Sequence, residues 1–249
     1  MQKVKLLNGN TLKIIATVAM LIDHIGYYLL PNVTIFRVIG RLALPLFAFM
    51  IAEGAKYTKN RLKYIGLMAG VGAALQVVLF LLTRTMRLNI LLTFTLSLCV
   101  IYTFDLFKIS LFNKKSDIIS KFLFLVLFVG TSFAVIFLTR ALVGISFEYG
   151  FFGCLVPIFA AAPCLDKTEA PEWLKKLDNL YVRLGCMCIP LFVLCFTSGQ
   201  NVQWFCFLAL IPLALYSEKR GEKNLKYFFY IFYPAHLILL ILINYLIYA

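Results

Sequence analysis

Two residues suited to proton chemistry, Asp23 and His24, stand side by side in the apolar stretch MLIDHIGYY (20–28). Histidine is the usual general base near neutral pH, because its ordinary pKa lies close to that value. Adjacent residues of a helix point about 100° apart, so Asp23 must face a different neighbour from His24. We expect that neighbour to be Arg41, in the next apolar stretch, either as a structural ion pair or as part of a site.

Lys13 stands eleven residues before His24, with Thr17 between them on the same stripe. Eleven residues make about three helical turns, so both side chains project from nearly one face, about 16 Å apart along the helix axis. The phosphates of coenzyme A and its thioester are separated by a similar length. The stripe therefore predicts acyl transfer, with Lys13 holding a phosphate and His24 acting as base. The alternative is an interfacial lysine and a buried, hydrogen-bonded histidine.

Two further ionisable residues, Glu53 and His236, lie in apolar stretches. An ionisable group inside a membrane span costs at least about 2.5–3.5 kcal/mol at the bilayer centre, so each is a candidate for function. Glu53, near the end of its stretch, either belongs to the site or is solvated or paired with Lys56 or a nearby lysine. His236, near the middle of the last stretch, either joins His24 in one polar pocket or is a satisfied core histidine.

The elements that carry these residues are predicted from composition. The chain is 62% hydrophobic and 14% charged, with a mean hydropathy of +0.91, whereas soluble domains are roughly 45–50% apolar and about 25% charged. We predict an all-α polytopic membrane protein, a bundle of about nine or ten transmembrane helices forming a single domain over residues 1–249. The nine spans are predicted at 11–30, 34–55, 62–83, 88–107, 121–142, 149–165, 180–197, 202–216 and 226–248.

The charge pattern predicts the topology. Nineteen of the 24 lysine and arginine residues fall in segments that are cytoplasmic if the N-terminus is cytoplasmic. The positive-inside rule therefore places the N-terminus inside and the C-terminus outside, in a plasma (inner) membrane. The net charge of +13 is explained by this topology and by an anionic inner leaflet, and it indicates no nucleic-acid partner.

The cysteines and histidines indicate no metal site. The seven cysteines include no CxxC pair, and most of them lie in apolar stretches, where cysteine behaves as a small buried hydrophobe. With two histidines in the chain, a histidine-rich metal centre is not expected.

Several stretches of the chain resemble the TraX family of conjugal-transfer proteins. They are LKIIATVAMLIDHIGYY (12–28), RVIGRLALPLFAFMIAEG (37–54), KYTKNRLKYI (56–65), EYGFFGCLVPIF (148–159), LALIPLALYSEKRG (208–221) and KYFFYIFYPAHLILL (226–240). The Lys13–His24 spacing is also similar to the basic-x₁₀-His pattern of acyltransferase-3 membrane enzymes. These enzymes carry acyl groups across the membrane to extracytoplasmic acceptors.

The resemblance implies an integral-membrane acetyltransferase with cytoplasmic acetyl-CoA as its co-substrate and no metal. The acceptor would be an amine or hydroxyl reached from the extracytoplasmic side, such as a pilin-like N-terminus, a small molecule or a glycan. On this hypothesis His24 is the general base or a transient acyl carrier, and His236 assists proton transfer. Asp23 and Arg41 orient the first two spans, with Arg41 stabilising the oxyanion, and Glu53 is a further candidate.

The same hypothesis needs contacts to coenzyme A at the cytoplasmic side. Basic residues and a hydroxyl near that side are the candidates, and they are Lys13, Thr17, Arg61, Lys63 and Arg220.

Two other functions stay open. A proton-coupled transporter would use the embedded acids and histidines as a relay and would move solute without acetyl-CoA, although the chain shows no internal repeat of the kind many transporters have. A non-catalytic partner of a conjugation or secretion complex would bind no coenzyme A and would tolerate substitutions at the embedded polar residues.

Overall fold

The computed structural model describes residues 6–140, 146–222 and 225–248, and most of this part of the chain is helical. The helices are α1 Gly9–Tyr28, α2 Thr34–Gly40, α3 Ala43–Tyr57, α4 Arg61–Thr83, α5 Ile90–Phe112, α6 Ile118–Arg140, α7 Gly150–Ala161, α8 Glu172–Lys175, α9 Leu180–Ser198, a 3₁₀ helix Asn201–Ala209, α10 Leu210–Ala214 and α11 Lys226–Tyr248. Two short strands, β1 Arg87–Leu88 and β2 Ser146–Phe147, pair in parallel. The sequence pattern did not indicate these strands.

The predicted all-α multi-pass membrane fold is confirmed. Within the described ranges, six helical segments are long and apolar enough to cross a membrane, namely Thr34–Tyr57, Arg61–Thr83, Ile90–Phe112, Ile118–Arg140, Leu180–Ser198 and Tyr227–Ile247. The spans predicted at 149–165 and 202–216 correspond to shorter apolar helices, Gly150–Ala161 and Asn201–Ala214. α1 holds the first predicted span but also carries polar and charged residues, which lower its mean hydropathy. The last residues of the span predicted at 121–142 lie outside the described part.

The span predicted as one helix over 34–55 is interrupted between α2 and α3. Pro45 has no N–H to donate to the Arg41 carbonyl, so the chain departs from α-helical geometry one turn earlier. The Leu42 N–H instead donates to the Ile39 carbonyl at 3.2 Å, in a tighter turn. Arg41 therefore lies just after α2, where its side chain is not confined to the face of a continuous helix.

α1 and α11 lie side by side and run in the same direction. Near their starts, Lys13 Nζ lies 5.9 Å from the centre of the Phe229 ring. Near their ends, the Asn244 side chain donates to the Tyr28 carbonyl at 2.6 Å. Two parallel helices enter a membrane from the same side, as the predicted topology requires of the first and last spans.

The structure divides into two compact units. The first contains α1, α2, the 3₁₀ helix, α10 and α11, the second contains α5, α6 and α7, and α3, α4 and α9 contribute residues to both. In the second unit, Val100, Val135 and Cys154 form a small apolar core where α5, α6 and α7 meet.

Candidate functional site

Asp23 lies between two arginines in the first unit. Its Oδ1 accepts from Arg41 Nη2 at 2.7 Å, and its Oδ2 is 2.8 Å from Arg37 Nη1. The predicted Asp23–Arg41 pair is therefore present, and Arg37 is a second partner that the sequence had not identified. Asp23 and Arg41 are buried. Together the three side chains carry one net positive charge, which favours an anion nearby.

Arg41 also bonds to two acceptors besides Asp23. Its Nη1 donates to Gln203 Oε1 at 3.0 Å and its Nε donates to the Arg37 carbonyl at 3.2 Å. Gln203, on the 3₁₀ helix, is buried. Sequence reasoning missed Gln203, although an amide within the apolar run NVQWFCFLALIP was the available signal.

Gly40, the last residue of α2, makes room for Asp23. A Cβ atom at Gly40 would overlap the Asp23 carboxylate and Cβ. A side chain at position 40 would therefore push Asp23 away from its arginine partners.

We expect Gly40→Ala to lower the free energy of unfolding by about 1–3 kcal/mol, as overpacking of a tight core does. Gly130→Ala is the matched control, because nothing lies within 4 Å of a Cβ built at Gly130 on α6. That control should be neutral or stabilising by up to about 1 kcal/mol, since alanine is the better helix former. The measurement is thermal or denaturant unfolding in detergent. Equal stabilities of the two variants would contradict the role given to Gly40.

His24 and His236 form a hydrogen-bonded pair. His24 Nδ1 lies 2.9 Å from His236 Nε2, and His236 Nδ1 lies 2.8 Å from the Phe232 carbonyl oxygen. The structure thus brings the two predicted histidines together. His236 is buried, and Phe232 stacks on its ring with centroids 5.0 Å apart, which holds the imidazole in one orientation.

These contacts determine the tautomers of the neutral pair. A carbonyl oxygen only accepts, so His236 Nδ1 carries the proton in its bond to Phe232. His236 Nε2 then has the lone pair and accepts the N–H of His24 Nδ1. Neutral His24 consequently has its lone pair on Nε2, the nitrogen that takes a proton in general base catalysis.

Two of the predicted coenzyme A contacts, Lys13 and Arg220, lie at the same end of α1. The Asn10 N–H donates to the Arg220 carbonyl at 3.1 Å, and the Gly9 N–H donates to the Lys219 carbonyl at 2.7 Å. The basic segment before α11 is therefore attached to the first turn of α1, one turn before Lys13.

Thr17 is less suited to ligand binding than predicted. It is buried, and its hydroxyl donates to the Lys13 carbonyl at 2.7 Å. That bond uses the hydroxyl proton within the helix, so Thr17 has no donor left for a phosphate or an amide.

Arg61 and Lys63 belong to the second unit. Arg61 Nη2 lies 3.4 Å from Asp105 Oδ2, and its guanidinium lies over the Tyr102 ring at 4.9 Å. Lys63 is exposed. Sequence reasoning missed Asp105, a carboxylate inside the predicted fourth span.

Glu53 is buried and its carboxylate is paired with Arg183 of α9, so the alternative in which solvent surrounds Glu53 is wrong. Arg183 also donates from Nε to the Ala160 carbonyl at 2.9 Å. Arg183 is one of the cations predicted to lie in a cytoplasmic segment, but it is buried within α9.

Lys56 is paired instead with two aspartates, Asp166 at 2.8 Å and Asp178 at 3.2 Å. Burial raises the pKa of Asp178, and its hydrogen bond to Asp166 raises it further. Burial opposes ionisation of Asp166, but hydrogen bonds from Asp178 and Lys56 outweigh it and lower the pKa of Asp166. Asp178 is thus the member of the pair that takes up a proton first.

The profile of the family described as TraX protein matches residues 8–244. The chain is 40% identical over 94 residues, 37% of its length, to an uncharacterized protein of Rickettsia prowazekii (strain Madrid E), of which the match covers 36%. It is 36% identical over 69 residues, 26% of its length, to a probable fimbrial assembly protein, FimC of serogroup H1, of Dichelobacter nodosus, of which the match covers 28%. The matched segments span about a third of each of these relatives, and no solved structure matches.

Proposed function

The chain belongs to the TraX family of conjugation-related membrane proteins, and from this premise we propose that it is a membrane-embedded acetyltransferase. The donor is cytoplasmic acetyl-CoA, and the acceptor is an amine or hydroxyl reached from the extracytoplasmic side of the inner membrane. The observation that carries the proposal is the His24–His236 pair, whose hydrogen bonds leave a lone pair on His24 Nε2.

His24 acts as the general base in a direct transfer. The acceptor nitrogen or oxygen attacks the thioester carbonyl while its proton passes to His24 Nε2. A new bond to the acyl carbon forms and the carbonyl oxygen becomes an oxyanion. The oxyanion then collapses, the carbon–sulfur bond breaks, and the His24 imidazolium returns the proton to the leaving thiolate. The products are the acetylated acceptor and the free thiol of coenzyme A.

The surrounding residues support that step. His236 accepts the Nδ1–H of His24 and so holds the imidazole in the tautomer that presents Nε2. The net positive charge of Asp23, Arg37 and Arg41 favours the negative charge that develops on the acyl oxygen, since oriented charges are the usual stabilisers of an oxyanion.

The spacing of Lys13 and His24 along α1 is similar to the separation between the phosphates of acetyl-CoA and its thioester carbonyl. Lys13 and His24 belong to one continuous helix, so they are about 16 Å apart along its axis. Lys13 and Arg220, attached to the first turn of α1, are the proposed phosphate contacts on the cytoplasmic side.

The test of this proposal uses the purified full chain. We expect the melting temperature to rise with the concentration of acetyl-CoA. At a ligand concentration of a hundred times Kd, the free energy of unfolding should increase by about 2.7 kcal/mol. Lys13→Met should reduce that stabilisation. In proteoliposomes, label from acetyl-CoA should pass to an added primary amine or alcohol. A folded protein that shows no stabilisation by acetyl-CoA and no acetyl transfer would overturn the proposal. Solute flux without acetyl-CoA would favour a transporter.

A further inference from the structure

Gln203 carries a buried hydrogen-bond donor that no described residue satisfies. The residue is 2% exposed, and its Nε2 has no hydrogen-bond partner in the described part of the chain. A buried amide donor left without an acceptor costs about 1–3 kcal/mol. A donor kept at this cost is suited to a ligand that supplies an acceptor.

The direction of this donor is set by Arg41. Gln203 Oε1 accepts from Arg41 Nη1 at 3.0 Å, whereas the flipped amide would place two donors against each other. The backbone of Gln203 is also held, because Cys195 Sγ donates to the Gln203 carbonyl oxygen at 3.4 Å. Nε2 therefore points away from Arg41.

Arg41 is held by several protein acceptors. Each of its three nitrogens donates to a protein acceptor, on Asp23, Gln203 and the Arg37 backbone. The guanidinium thus connects these groups, and the neighbouring amide of Gln203 offers a further donor.

The same guanidinium connects Gln203 to the helix that carries the candidate base. It bonds both Gln203 and Asp23, and Asp23 is the chain neighbour of His24. Gln203, Asp23, His24 and His236 all belong to the first unit.

We infer that Gln203 binds the substrate, with its Nε2–H donating to the carbonyl oxygen of the acyl thioester and to the oxyanion formed from it. The inference rests on the proposed acetyltransferase function and names the group that meets the reacting oxygen. A carbonyl oxygen is an acceptor only, as the unsatisfied amide requires.

The experiment compares Gln203→Glu with Gln203→Met. Glutamate has the size of glutamine and keeps an oxygen that accepts from Arg41, but when ionised it has no N–H or O–H to donate. Methionine keeps only the shape of the side chain. We expect Gln203→Glu to lower kcat by about 10²-fold, the loss typical of one missing oxyanion donor. The KM for acetyl-CoA should rise as well, because the same donor meets the ground-state carbonyl, whereas the melting temperature without ligand should stay close to wild type. If Gln203 served only to hold Arg41, the Gln203→Glu protein would still bind acetyl-CoA more tightly than its thioether analogue ethyl-CoA, and that result overturns the inference.

A second measurement uses the wild-type protein and does not depend on how the variants fold. Acetyl-CoA should stabilise the wild-type chain more than ethyl-CoA, a thioether that lacks the carbonyl oxygen. Equal stabilisation by the two ligands overturns the role of Gln203 and leaves the acetyltransferase proposal intact. A wild-type protein that neither binds acetyl-CoA nor transfers acetyl groups overturns both.

Discussion

His24→Gln is expected to lower the rate of acetyl transfer by about 10²–10⁴-fold, the contribution of a well-placed general base. Glutamine retains an amide N–H that can donate to His236 Nε2 in place of His24 Nδ1. The variant therefore removes the titratable nitrogen while keeping the contact between α1 and α11. The measurement is kcat with labelled acetyl-CoA, accompanied by the melting temperature with and without ligand.

Val18→Ala is the control for the His24 variant. Val18 lies on the same helix as His24 and is 51% exposed. It is apolar and has no part in the proposed site, so its replacement should leave acetyl transfer unchanged. Undiminished transfer by a folded His24→Gln protein would remove His24 from the mechanism. Loss of melting-temperature stabilisation by acetyl-CoA in that variant would point to binding rather than proton transfer.

The Asp23–Arg41 pair could be predicted from the sequence because charged residues are scarce in this chain. An aspartate inside an apolar stretch needs a cation, and Arg41 in the next apolar stretch was expected to supply it, so that pair followed from the cost of burial. For the two histidines the sequence left two possibilities, a shared polar pocket or a core position for His236, and the structure shows the shared contact.

The remaining residues were missed for two physical reasons. Gln203 carries no charge, so it is a weak signal in an apolar stretch, and its contact with Arg41 depends on how α2 and the 3₁₀ helix are rotated. Arg183 and Lys108 had been counted as cytoplasmic loop cations. Both lie inside helices and are buried, and Lys108 donates to the Cys164 carbonyl at 2.8 Å. The positive-inside rule counts charges near span ends and does not distinguish buried ones.

The helix bounds show a similar limit. Hydropathy located α2 and α3 as one span, because both halves are apolar. The interruption lies one turn before Pro45, because proline has no N–H for the preceding helical turn. A hydropathy average does not detect this missing hydrogen bond. Arg41 lies at this interruption, so the local break and the position of a key side chain have the same cause.

The Glu53–Arg183 pair should dominate the stability of the second unit. Arg183 is 2% exposed, so Glu53→Gln would leave a buried guanidinium opposite a neutral partner. Removing one member of a buried ion pair typically costs about 3–5 kcal/mol of unfolding free energy. The exposed pair Lys175–Glu172 is the control, because Glu172 is 86% exposed and Glu172→Gln should cost no more than about 1 kcal/mol. Unfolding by denaturant in detergent measures both.

The double replacement of Glu53 and Arg183 by methionine separates stability from catalysis. An apolar pair of similar volume has no buried charge to compensate, so the double variant should recover most of the stability lost in Glu53→Gln. If Glu53 is a structural residue, the double variant should also transfer acetyl groups at close to the wild-type rate. A stable but inactive double variant would place Glu53 or Arg183 in the reaction, and a double variant no more stable than Glu53→Gln would show that their pairing is not the main contribution.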